Sequence, residues 1–558
     1  MKGAIINELV KSSGLSATEI ENVIEVPKDP SLGDFAFPCF TLAKHFRKNP
    51  VEIAKEIGAK IKIGNEIDKI NVVGPYINFF LNQKHAALGV IADILKKKEK
   101  YGSCEHGKRK KFMLEFSQPN THKAFHVGHI RGTSFGESLA RVREFCGYDV
   151  VRANYSGDTG MHIAKWMWAY THFHKKDKIK SDESWFAKIY VEAVQKLEGN
   201  EKGQAEVEEI NRQLDARSNK VLMKLWKETR KSSIAAWKPI YKDLDVKFDV
   251  HFFESETEKD GKRIAQELVE RNIAKVSEGA TIMDFKDEGL GVWVLLRKDG
   301  TVLYSAKDLA LAEIKLSEYK MDESLVVTSV EQNLHFQQLR KTLEIMKFAR
   351  WKEYLHLGYE SVRFPWGKMS SRTGDNVFYA AFRDELMQEA AREINLRAKL
   401  SKTETDKRAL AIAIAAMKYS MLKQDVNKVI IFNKEEALRF EGDTGPYLLY
   451  SYARARSILR KKKAKKFSGA ESVDNSERLL INELARFPDV VLQADQSFAP
   501  ALIAHYAYKL AHQFNEFYHS SPVIGSDKEN FRLALVGAFA QTLGNALNLL
   551  GIPVLEEM

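Results

Sequence analysis

The sequence predicts an α/β fold with a parallel sheet at its centre, an α+β unit before it and an all-α unit after it. Three observations carry this. Residues 112–117, about 128–146 and 149–155 read as strand, helix and strand, the βαβ unit of a parallel sheet. A charged stretch with helical apolar spacing, about residues 165–240, interrupts the strand pattern. From about residue 386 to 558 the spacing is almost wholly helical. Together these give a Rossmann-type domain over 109–385 with a helical insertion, preceded by residues 1–108 and followed by 386–558.

In chain order, Gly33-Asp34-Phe35-Ala36-Phe37 leads into a helix pattern, and residues 71–80 read as a strand. The basic runs 96–98 and 108–111 read as solvated surface whose lysines can also reach phosphates. The helix at 128–146 carries Ile130, Leu139, Val142 and Phe145 on one face, with Gly147 placed to end it. Within the insertion, 185–197 and 221–237 have helical spacing. The parallel sheet is then expected to resume with 281–285 and 292–296, and 325–328 reads as a buried strand. Residues 409–417, the longest apolar run, read as a buried helix, and the basic run 460–466 as an exposed loop.

Composition sets outer limits. The 558 residues suffice for three or four domains, and 44% hydrophobic with 29% charged is globular. A net charge of +11 suits a polyanionic partner such as RNA. Cys39, Cys104 and Cys146 show neither Cys-x-x-Cys nor zinc spacing, which points to a reduced compartment and no bound zinc. Neither a signal sequence nor a membrane span is expected.

The chemistry concentrates at the first strand-to-helix turn, His126-Val127-Gly128-His129. Ligands of such sheets bind beyond the strands' carboxyl ends, and a helix start offers N–H groups to a phosphate. Two imidazoles there can donate to a polyphosphate, and Gly128 allows close approach. About 240 residues on, the basic loop Lys368-Met369-Ser370-Ser371-Arg372 can neutralise a leaving pyrophosphate.

The order of these two elements resembles the class I aminoacyl-tRNA synthetases. Further blocks resemble the arginyl family: Ser117, Pro119, Asn120, Lys123 and His126 to His129; Arg152 to Gly160; Tyr304 with Asp308; Gln332 with His335; Leu550-Gly551-Ile552-Pro553. The resemblance spans essentially the whole chain. It implies arginine as substrate, and the residue types suit that: a guanidinium needs carboxylates and amide oxygens. Asp308 is the first candidate for that partner and Glu115 the second, with Asn120, Tyr304, Gln332, Ser117 and His129 around the amino acid. Tyr304 and Asp308, four apart, share a face if helical. Taken singly, Tyr304, Asp308 and Gln332 also suit a core tyrosine, a helix cap and a loop amide.

The resemblance further implies ATP contacts from His126, Gly128, His129, Lys368, Met369, Ser370 and Ser371, and catalysis by His126, His129, Lys123, Lys368 and Arg372. Many class I loops carry a second lysine where this chain has Ser371, and arginyl enzymes of that kind commonly have a lysine at position 123. Tyr447, Tyr450, Arg454 and Met558 are expected to contact the anticodon loop of tRNA(Arg), and residues 1–108 its elbow. Mg²⁺ is expected with ATP, tRNA before amino-acid activation, and a cytoplasmic monomer as the working form. Another class I synthetase or adenylate-forming relative, or a noncatalytic tRNA-binding paralogue, stays open here. The intact His126, His129, Lys368 and Asp308 argue against the paralogue.

Overall fold

The computed structural model describes residues 2–27, 29–64, 66–365, 378–462 and 472–558, arranged in two units. One comprises Met1–Tyr101, Ala455–Arg486 and Leu510–Thr542; the other comprises Gly102–Arg454, Phe487–Lys509 and Leu543–Met558.

In the first unit, strands β1 (Phe35–Pro38), β2 (Ile67–Val73) and β3 (Tyr76–Leu81) form an antiparallel sheet in the order β1-β3-β2. The single strand expected over 71–80 is therefore two. Gly74, at φ +58°, and Pro75 reverse the chain between them, a turn signal the apolar pattern overshadowed. Helices Lys2–Ser13 and Pro50–Lys60 bury Ile5, Leu9, Ile53 and Ile57 with Phe37 and Phe79. Helix Asn475–Ala485 packs against Gln83–Lys97.

The second unit contains β4 (Lys111–Glu115), β5 (Asp149–Ser156) and β6 (Val250–Phe253), then β7 (Lys275–Ser277), β8 (Ala280–Phe285) and β9 (Gly291–Leu296), then β10 (Glu323–Ser329) and β11 (Tyr354–Tyr359). Five of these form a parallel sheet in the order β11-β10-β4-β5-β6. Phe112, Met113, Leu114 and Val326 are fully buried, as in strands covered on both faces. The chain runs outward from β4 through β5 and β6, then returns to β10 on the other side. The switch point between β4 and β10 is where such a sheet opens a ligand crevice.

One expectation fails here. Residues 281–285 and 292–296 do not extend the parallel sheet; β8 and β9 pair antiparallel with each other, and β7 with β8. Residues 286–290 between β8 and β9 are too few for a parallel crossover, which needs a dozen or more. The insertion between β5 and β6 comprises helices Met161–Phe173, Glu183–Leu197, Glu201–Asp215 and Lys220–Asp243, with Trp166, Phe186, Ile189 and Val207 at their core.

The helix after β4, Val127–Phe145, is held at its far end by later chain. Ser138 Oγ donates to Leu549 O at 2.8 Å, and Arg141 Nη1 to Asn548 O at 3.1 Å. Lys418, within the buried helix Lys402–Leu422, donates to Gly551 O at 2.7 Å and to Leu244 O. Burial pushes its ammonium down to about 7. Apart from the two-residue bridge of Ile430–Ile431 with Val362–Arg363, the described residues after 378 lie in helices and their connections.

Candidate active site

A cavity of about 770 Å³ opens at the switch point. Glu115 and Ser117 from the end of β4, and Asn120, His126, Gly128 and His129 from the turn and helix beyond it, line one side. Tyr304, Asp308 and Gln332 line the other. All nine were singled out in the sequence. Gly367 to Asp375, with Lys368, Met369, Ser370, Ser371 and Arg372, lie outside the described residues.

The turn from β4 into the helix is contorted. Ser117 (φ +78°), Gln118 (+42°) and His122 (+62°) occupy the left-handed region, which costs a non-glycine residue energy unless its surroundings impose it. Here the surroundings do. Thr133 donates to Ser117 Oγ at 2.8 Å, and Tyr241 OH lies 3.0 Å from the same oxygen. His122 donates its backbone N–H to Ser233 Oγ and shares a 2.8 Å bond between Nε2 and Thr229 Oγ1. The Phe125 N–H reaches Glu183 Oε1 at 2.9 Å. Four of these five partners, all but Thr133, come from the insertion helices Glu183–Leu197 and Lys220–Asp243.

The two histidines are fixed as donors. His126 Nδ1 accepts from the Gly128 N–H at 3.1 Å, and His129 Nδ1 from the His126 N–H at 3.1 Å. Each ring hydrogen therefore sits on Nε2. Burial, reinforced by Lys123, pushes His126 down to about 4, and burial holds His129 well below the usual imidazole range. Near neutral pH both are uncharged. A Cβ on residue 128 would meet His126 Cε1 at 2.9 Å, so the glycine lets that ring fold over the helix start. Lys123 shares a smaller pocket with Asn120, His126 and His129. Its Nζ stands 5.2 Å from the Tyr190 ring centre, and burial lowers its ammonium.

At the other end, Tyr304 and Asp308 lie in helix Tyr304–Glu313, so their four-residue spacing puts them on one face. Glu115 is paired internally: Lys315, fully buried, contacts Oε2, and Gln118 donates to Oε1 at 2.9 Å. Asp308 Oδ2 lies 2.6 Å from His335 Nε2, while Oδ1 is buried with no partner among the described residues. That leaves Asp308, rather than Glu115, with an oxygen to offer.

Glu254 also lines the cavity and was missed in the sequence. Burial raises its carboxyl, countered by Lys307, whose Nζ lies 3.4 Å from it. Its position at the strand-to-helix junction after β6 was the available signal. Among the tRNA candidates, Tyr450 OH accepts from Arg454 at 2.7 Å under a guanidinium 4.6 Å from the ring centre. Tyr447 packs at 5.9 Å against Tyr508, and Met558 is half-buried.

Imidazole donors at a helix start face a carboxylate across the switch point of a parallel sheet, the arrangement expected of a class I aminoacyl-tRNA synthetase. Comparison with known proteins agrees and narrows it. Residues 90–433 match the family described as tRNA synthetases class I (R), catalytic domain. Residues 448–558 match the DALR anticodon binding domain, and 1–81 the arginyl tRNA synthetase N terminal domain. The arginine–tRNA ligase of Clostridium acetobutylicum is 35% identical, with 100% of both chains covered. That of Treponema denticola is 35% identical over 96% of this chain and 94% of its own. The Thermus thermophilus arginyl-tRNA synthetase structure superposes with a TM-score of 0.81 at 26% identity, covering 99% of this chain and 98% of that one. The chain belongs to the arginyl-tRNA synthetase family. It is an arginine–tRNA ligase: L-arginine and ATP yield arginyl-adenylate and pyrophosphate, and the arginyl group passes to the 3′ end of tRNA(Arg) with release of AMP.

Proposed function

We propose that the cavity binds arginine with its guanidinium on Asp308 and its carboxylate toward the His126–His129 turn. The observation that carries this is the unpartnered Oδ1 of Asp308 beside the exposed ring of Tyr304. Gln332 adds an acceptor for the guanidinium. Asn120 takes the α-amino end; its Oδ1 lies where a Cβ on Gly157 would be, 2.4 Å away, so glycine leaves it room.

A carboxylate oxygen of arginine attacks the α-phosphorus of ATP, and the bond to the bridging pyrophosphate oxygen breaks. No protein nucleophile is needed; alignment and charge stabilisation carry the step. The Nε2–H groups of His126 and His129 donate to phosphate oxygens, Gly128 admits the nucleotide, and Lys123 brings a positive charge. Lys368, Met369, Ser370, Ser371 and Arg372 are assigned to the leaving pyrophosphate from sequence alone. Mg²⁺ enters with the nucleotide's phosphates; among the described residues no cluster of three or more His, Cys, Asp or Glu could hold a metal ion. Tyr447, Tyr450, Arg454 and Met558 read the anticodon loop, residues 1–108 bind the elbow, and the working form is a cytoplasmic monomer. Among the described residues no helix is long and apolar enough to cross a membrane.

Arginine-dependent pyrophosphate exchange with tRNA(Arg) present tests the orientation. Asp308→Asn keeps the shape and removes the charge, costing about 2–5 kcal/mol in arginine kcat/KM. Unchanged constants would reverse the assignment of the two ends.

A further inference from the structure

The Asp308 carboxylate is supported by a chain of hydrogen bonds that begins outside the parallel sheet. Trp293, on β9 of the antiparallel sheet, places its indole nitrogen 3.2 Å from His335 Nδ1. An indole nitrogen only donates. His335 Nδ1 therefore accepts, the ring hydrogen sits on Nε2, and Nε2–H donates to Asp308 Oδ2 at 2.6 Å. The imidazole is buried, with the Tyr304 ring 4.8 Å away, and Trp293 is buried too.

In this arrangement the ring is uncharged. A second proton on Nδ1 would point at the indole hydrogen. The contrast with Glu115 is direct: that carboxylate is matched by a buried ammonium, whereas Asp308 is matched by a neutral donor and keeps its charge.

We propose that Trp293 and His335 are positioning residues for arginine: the indole locks the imidazole in its uncharged Nε2–H form, so that Asp308 retains its full charge and presents Oδ1 to the guanidinium. This rests on the assignment of Asp308 to the guanidinium. Among the described residues, the charged or titratable groups around His335 are Asp308 and Tyr304 from helix Tyr304–Glu313 and His356 from β11, with Arg340 on its own helix.

The test is arginine and ATP KM by pyrophosphate exchange, with the full chain and tRNA(Arg), between about pH 8 and 6. Trp293→Phe frees Nδ1. With Nδ1 free, the ring can take a second proton on acidification, and its positive charge then offsets that of Asp308. Arginine KM should then rise about tenfold from pH 8 to 6, with ATP KM within about twofold, while the parent's arginine KM stays level. His335→Gln supplies an amide donor that cannot be protonated, and should keep arginine KM near the parent's and level with pH. His335→Ala should raise it about 10–100-fold. A level, parent-like profile for Trp293→Phe would overturn the proposal. If that variant does not fold, His335→Gln no better than His335→Ala would overturn it instead. Asp308→Asn separates the two ideas. If it raises arginine KM while these variants do not, the relay alone falls; if it too is silent, the Asp308 assignment falls with it.

Discussion

The two ends of the cavity handle charge in opposite ways. At the helix start, where the proposed reading puts a polyphosphate, the His126 and His129 rings are uncharged, each held in the Nε2–H form by a backbone N–H. At the far end, carboxylates carry the site: Glu115 is compensated by Lys315, and Asp308 is supported by His335. On the proposed reading the difference follows from the substrates. A guanidinium stays charged throughout and suits a standing anion. A triphosphate is bound, split and partly released, and neutral dipoles let the products go while still favouring charge that develops in transit.

The largest way to break this contrast is Lys315→Met, which strips the compensation from Glu115. A buried carboxylate left alone costs about 3–5 kcal/mol, measured as urea unfolding of the variant against the parent. Adding Glu115→Gln should recover most of the loss; no recovery would mean that Lys315 acts through packing.

Next is Lys123→Ala, which removes the charge that the proposed reading brings to the phosphate end. Single-turnover adenylate formation should slow by about 10²–10³, with arginine KM far less affected. Near-parental rates would make Lys123 a partner of Tyr190 and nothing more.

Outside both ends, Tyr447→Ala should weaken tRNA(Arg) binding by about 1–3 kcal/mol and leave arginine and ATP constants alone. Equal tRNA affinity, read by filter binding, would make Tyr447 a packing partner of Tyr508.

The smallest effect concerns pH. Because His126 is depressed to about 4, it is neutral in the folded protein well below the ordinary 6.5. Adenylation should change by less than about twofold between pH 8 and 6 on its account. Stability runs in the matching direction. Above about 6.5 neither state binds the proton; below it the unfolded chain does and the fold does not, so stability falls from there toward about 4. His122, pushed down to about 3 by burial, adds to that slope. A kcat that rises on acidification with a midpoint near about 6.5 would require imidazolium at the phosphate end.

These contrasts were unevenly legible in the sequence. The β4–turn–helix unit, its glycine and its histidines were legible because strand and helix periods meet there, and Tyr304 with Asp308 because four residues make a helical turn. The partners that set their charge were not. Lys315 is 200 positions from Glu115, and Trp293 sits in a strand whose local pattern is the same whichever sheet it joins. Assigning β8 and β9 to the parallel sheet hid the route from Trp293 to Asp308. The short connection between those strands was the overlooked clue, as Gly74-Pro75 was in the first unit.

The grip of Ser138, Arg141 and Lys418 on residues 548–551 has a consequence for how the protein is made. The helix that begins with the two histidines is translated early, yet the carbonyls that receive Ser138 and Arg141 come some four hundred residues later. At about 5–20 residues per second, that gap lasts on the order of tens of seconds. Until it closes, a nascent chain carries the whole phosphate turn on a helix with an unfinished far end.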